Sequence, residues 1–166
     1  MKKINNANNA NKKLYYLVFI GGTCGAFVRS IISSASRIIY PSDGHSLIFG
    51  QLTLGTFLSN MIACFIFAFV TAVSVNALPK AKQTFYKYAL GTGFCGGLST
   101  MSTFAFEGAV SFVTPRAMLA VLGMVVSLIL AILITFVGSW LGGAIARRIK
   151  RRSVKSSANL DGKDVK

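Results

Sequence analysis

The sequence predicts an all-α membrane protein of four transmembrane helices with a break in the third, and three observations carry that prediction. The 166 residues are 53% hydrophobic and only 13% charged, with a mean hydropathy of +0.60. The apolar residues come in long blocks, not in the amphipathic rhythm of a soluble helix. The stretch from Gly91 to Glu107, GTGFCGGLSTMSTFAFE, sets a glycine turn and a hydroxyl cluster inside an otherwise apolar run. Backbone released at membrane depth finds no water, so it persists only when buried in protein, bound to an ion or facing an aqueous pathway. That combination points to a channel or transporter.

A span takes roughly 20 largely apolar residues, and four runs qualify: residues 14–34, 46–75, 88–113 and 117–146. The first follows two lysine pairs, as a signal peptide would. Cleavage is rejected, because no A-x-A-like site follows, Thr23 before Cys24 makes no convincing lipidation site, and the run continues through Gly25 and Ala26. The second and fourth runs are long enough to tilt or to extend past the lipid. Short connectors pack the four as one domain, 14–146, between a basic, Asn-rich tail (1–13) and a basic tail (147–166). Composition predicts disorder from Asn5 to Asn11 and after about Ser153.

A net charge of +14 could suggest nucleic acid, but the placement of the bases argues for a membrane. Four lysines lie in the first tail, Lys80, Lys82 and Lys87 around the middle loop, and eight bases in the last tail, so fifteen of the 18 share one side. Arg29, Arg37 and Arg116 are left for the other. The positive-inside rule puts both termini in the cytoplasm of a bacterial inner membrane protein, and both tails are placed to touch anionic lipid.

Enzymatic chemistry is excluded by counting. The acids are Asp43, Glu107, Asp161 and Asp164, and the one histidine is His45, so no acid–base pair or metal cluster can be assembled. Cys24, Cys64 and Cys95 fall inside spans without metal-ligand spacing and read as packing residues. Small residues recur at helical spacing as Gly55, Ser59 and Ala63, and again as Ser127, Ala131, Thr135, Ser139 and Gly143. Close helix packing explains most of both stripes, with room for some hydroxyls to line a pathway. Asn60 is costly in mid-span unless its amide is satisfied; helix glue and pore donor fit its chemistry equally. Arg29 reads as an anchor or an anion attractor at a span end. Glu107, eight residues beyond Ser99, is an intramembrane carboxylate and therefore a functional candidate.

Together these residues resemble the CrcB/Fluc fluoride channels. GGTCGAFVR (Gly21 to Arg29) is similar to the family's glycine-rich segment ending in arginine, and GTFLSN (Gly55 to Asn60) resembles GT-x-x-x-N. GFCGGLSTMSTF (Gly93 to Phe104) resembles GFCGG-x-TTFSTF, with a glutamate following at the matching place. The resemblance implies an antiparallel dimer of four-helix subunits with two fluoride pathways and a structural, untransported Na+ at the third-helix break. It assigns the sodium to backbone oxygens of Gly96 and Ser99, and the fluoride pathway to Asn60, Phe104, the Met101 position, Ser102 and Thr103, with Arg29 and Glu107 supporting. The implied role is passive fluoride efflux that lowers cytoplasmic fluoride and its toxicity.

Two departures stand out. Met101 replaces the first phenylalanine of TTFSTF, removing one aromatic edge. The charge bias holds the chain in one orientation, whereas an antiparallel homodimer needs both, so an oppositely oriented paralogue is the expected partner. The competing readings are a small proton-coupled exporter, for which Glu107 would be the carboxylate, and a non-transporting scaffold.

Overall fold

A computed structural model describes residues 2–39, 53–113 and 117–161. The segment 46–52 of the second run, Asp43, His45, Arg116 and Asp164 lie outside the described residues. Every regular element among those described is helical: α1 (Lys2–Ile39), α2 (Leu54–Ala77), α3 (Lys80–Tyr86), a π-helical stretch (Lys87–Cys95), α4 (Gly96–Leu98), α5 (Met101–Ser111) and α6 (Ala117–Asp161).

Three stretches are long and apolar enough to cross a membrane: Lys12–Ile39, Leu54–Ala77 and Ala117–Arg152. The shortest has 24 residues, about 36 Å at 1.5 Å per residue, against a hydrocarbon core of about 30 Å. Their large side chains face outward, Phe19, Phe27, Phe136 and Trp140 among them, as suits a protein whose solvent is lipid. Between α2 and α6 the chain runs instead through shorter pieces. The interior is small, with Ala63, Cys95 and Leu98 at its centre and Val28, Ile32, Ile66 and Phe94 packed around them.

Glycine sets the packing. Cβ atoms added at Gly25 or Gly97 would fall onto the carbonyl oxygens of Phe94 and Gly22 respectively, and one at Gly93 would lie 2.9 Å from the Val18 carbonyl. The backbones of α1 and the π-helical and α4 segments are therefore in direct contact, and the ascending pairs make them parallel. On the other side, Gly138 and Gly142 of α6 sit on the carbonyls of Phe65 and Phe69, so α2 and α6 are parallel as well. Close approach through small residues substitutes for the hydrophobic driving force that lipid cannot supply.

Three expectations change here. Gly91, Gly93, Gly96 and Gly97 form no turn: they stay helical, with Gly91, Gly93 and Gly97 serving as packing surface, while the backbone leaves the helix two residues later, at Ser99. The stripe expected along α6 also shifts. Ser127 is buried, but Thr135 and Ser139 are exposed, and Gly138, Gly142 and Ala146 provide the close face. The tail segments expected to be disordered are helical from Lys2 and onward to Asp161, because extending a nucleated helix needs only one residue fixed per hydrogen bond.

Candidate functional site

The break occupies two residues. Ser99 has φ −77° and ψ 151°, and Thr100 has φ −143° and ψ 101°, both extended. Ser99 N–H still donates to the Cys95 carbonyl at 2.9 Å, which closes α4. The Thr100 N–H does not continue the ladder. It donates to Asn60 Oδ1 at 2.8 Å, while Asn60 Nδ2 donates to the Thr100 carbonyl at 3.4 Å. The side-chain amide thus pairs with a backbone amide in place of the missing helical turn. α5 then restarts with Thr100 as its N-cap, the hydroxyl accepting from Thr103 N–H at 3.3 Å and donating to Thr103 Oγ1 at 2.7 Å.

The break leaves the carbonyls of residues 96–99 without their α-helical donors. For two of them the donor is diverted to a side chain: in an uninterrupted α-helix the Thr100 amide would serve Gly96 O, and the Thr103 amide would serve Ser99 O. Both amides are taken instead by side chains, Asn60 and Thr100. The oxygens of Gly96 and Ser99 are thereby relieved of their helical donors, and those two residues line one groove of about 310 Å³ with Cys64, Cys95 and Thr135. Carbonyl oxygens without helical donors are hard ligands of the kind that a cation such as Na+ takes.

A second groove, of about 210 Å³, brings together Asn60, Ser99, Met101 and Phe104 against Ser127 and Ala131 of α6. Ser99 belongs to both grooves, so the break joins them. Phe104 is buried and Met101 is 69% exposed. Ser102 and Thr103 are exposed on the first turn of α5 and lie outside both grooves. Arg29 is half-buried on α1, four residues past Gly25, and also lies apart from them.

Glu107 is engaged. Its carboxylate accepts from Thr53 N–H at 3.2 Å, from Thr56 Oγ1 at 2.9 Å and from Thr53 Oγ1. This fastens α5 to the first turn of α2, where amides without intrahelical partners and the helix dipole favour negative charge. Thr53, Thr56 and Thr100 were not singled out in the sequence. The three-residue spacing of Thr53 and Thr56, which sets two hydroxyls on one face of a helix start, is the signal that could have found the first pair. A threonine directly before the restarting apolar run is the N-cap signal for Thr100.

A family model described as CrcB-like protein, Camphor Resistance (CrcB), matches residues 16–139, which include the break, both grooves and the Glu107 strap. This chain belongs to the CrcB family. Similar proteins include the fluoride-specific ion channel FluC of Pyrococcus abyssi, 34% identical over 128 residues, covering 77% of this chain and 94% of that one. FluC 1 of Staphylococcus aureus strain Mu50 is 31% identical over 136 residues, covering 82% and 84%. FluC 2 of Staphylococcus saprophyticus is 28% identical over 132 residues, covering 80% and 98%. As a CrcB member with three apolar crossing helices, the chain is a multi-pass membrane protein.

Proposed function

We propose that this chain is one subunit of a fluoride-specific channel that lets the anion leave the cytoplasm passively, lowering its concentration and toxicity there. The family membership and the relatives' names support the ion. The carrying observation is the Asn60–Thr100 pairing, which holds a helix break open at the meeting point of two grooves.

Fluoride is small and tightly hydrated, so a selective path must replace its water with hydrogen-bond donors while remaining narrow. Asn60 donates to Thr100 through one amide N–H and has a second for an anion. The hydroxyls of Ser102 and Thr103 stand on the first turn of α5, whose positive dipole end faces the break. The Phe104 ring adds an electropositive edge. Among the described residues no lysine or arginine lines either groove, so no fixed charge there would trap the ion. The two relieved carbonyls, Gly96 and Ser99, would hold a structural Na+, which supplies positive charge at the break and is not itself transported. Two oxygens are fewer than a hard cation takes, so a second, antiparallel subunit completes the set.

In this reading α3 through α5 cross the bilayer as a fourth, broken span, which agrees with the parallel pairing of α1 with the π-helical stretch and of α2 with α6. Both termini are cytoplasmic. The charge bias that fixes this orientation calls for an inverted paralogue as partner, with Met101 leaving one pathway short of an aromatic edge. The exporter reading is disfavoured, because Glu107 is already occupied by Thr53 and Thr56.

Fluoride efflux from liposomes, with chloride as control, tests the proposal. Fluoride-selective efflux with the paralogue present and none without it is the expected result. Strong efflux from the chain alone would remove the paired-subunit reading, and silence in both preparations would remove the channel.

A further inference from the structure

A third recess lies along the seam between α1 and the π-helical stretch and shares Thr92 with the groove at Gly96 and Ser99. It is an open trough of about 620 Å³ walled by Leu14, Tyr15, Val18 and Phe19 on one side and Tyr88 and Thr92 on the other. Its origin is steric. At Gly21 and Gly93 the two backbones touch, whereas one to two turns earlier the facing residues become Leu14, Tyr15 and Tyr88, whose side chains hold the backbones apart. Its size is that of a small-molecule site, but its walls are apolar and it opens to the side, where lipid lies.

The mouth of this trough is basic. Lys12 is three residues before Tyr15 and therefore on the same helix face. The Val18 carbonyl sits against Gly93. Lys12 is six residues before Val18, and Lys87 six residues before Gly93 on the parallel neighbour, so both lysines lie toward the same end. Both are exposed. Glu107, the one acid whose side chain is described, is held by Thr53 and Thr56, so it neutralises neither of them. Tyr15 and Tyr88, at 75% and 38% exposure, supply the aromatic edge typical of the headgroup level.

We propose that this trough binds one anionic phospholipid in the leaflet from which α1 enters the membrane. An acyl chain lies along Leu14, Val18 and Phe19, and the phosphate meets Lys12 and Lys87. The bound lipid fills the wedge that the glycine contact leaves open and ties α1 to the segment leading into the break. This site is independent of the ion that the protein conducts.

The test is native mass spectrometry of the full-length protein released from micelles holding equal amounts of phosphatidylglycerol and phosphatidylcholine with identical chains. One phosphatidylglycerol per subunit is expected to be retained in preference. Replacing Lys12 and Lys87 by glutamine should lower that retention by roughly fivefold per lysine and leave phosphatidylcholine unchanged. Thr92→Trp, at an exposed position, should reduce retention of both lipids with the charges intact, and Arg151→Gln with Arg152→Gln should have no effect. Equal retention of the two lipids, an unchanged Lys12/Lys87 double variant, or a preference that disappears only with the Arg151/Arg152 variant would overturn the site. Displacement of the lipid by inorganic phosphate would also overturn it, since the acyl chain would then contribute nothing.

Discussion

Asn60→Ala is the sharpest perturbation of the break. Thr100 is only 6% exposed, so its N–H cannot turn to water when Asn60 Oδ1 is removed. The 2.8 Å bond is the one that matters; the 3.4 Å contact to the carbonyl is at the long limit and adds little. A buried donor left unmade costs roughly 1–3 kcal/mol, and the expected loss of stability lies in that range. The amide has one escape, which is to return to the Gly96 carbonyl and re-form the helix. That would recover stability while capping one of the oxygens that the break frees. Both branches predict a large fall in fluoride efflux from the conducting complex. Asn60→Asp separates the bond from the charge. It keeps the acceptor for Thr100 but sets a carboxylate at membrane depth beside the Thr100 carbonyl, so stability should fall by roughly 2.5–3.5 kcal/mol, and the negative charge should abolish anion passage. Thermal unfolding in detergent and fluoride-electrode efflux measure the two quantities. Wild-type flux together with wild-type stability in Asn60→Ala would refute the reasoning.

Two further outcomes follow from contacts on either side of the break. Gly25→Ala puts a methyl group onto the Phe94 carbonyl and 2.8 Å from the Leu98 amide. Backbone cannot yield as a side chain can, so a loss of roughly 1–3 kcal/mol or more is expected. Gly96→Ala meets nothing within 4 Å and should leave the thermal midpoint of the isolated subunit unchanged or slightly raised; the reverse order of the two variants would contradict the packing described. Met101→Phe introduces a ring at a position 69% exposed, where volume is available. It should raise fluoride efflux of the conducting complex, and unchanged efflux would mean that methionine already suffices there.

Much of the fold was legible because lipid imposes a simple demand. Three of the four apolar runs appear as long helices, and the interruption of the other falls within the stretch that its hydroxyls marked. The position of the break was not legible. Glycines have low helix propensity and invite a turn in any reading by composition, yet here all four stay helical, and the α1 backbone packs directly against Gly93 and Gly97. The break instead falls at Ser99 and Thr100, where a side chain 40 residues away in sequence supplies the hydrogen bonds. Glu107 was legible as an unusual carboxylate but not as a strap, because its partners Thr53 and Thr56 are more than 50 residues distant.

The sequence by itself determined the solvent, the apolar runs and the residue types available for an ion path, since each follows from local composition and hydropathy. It also determined the charge asymmetry, and with it the expectation of an inverted partner. Only the tertiary structure decided which carbonyls lose their donors, which glycines bring helices into backbone contact and where Asn60 spends its amide. Those are pairwise matters, fixed by which surfaces meet, and one-dimensional spacing carries no term for them.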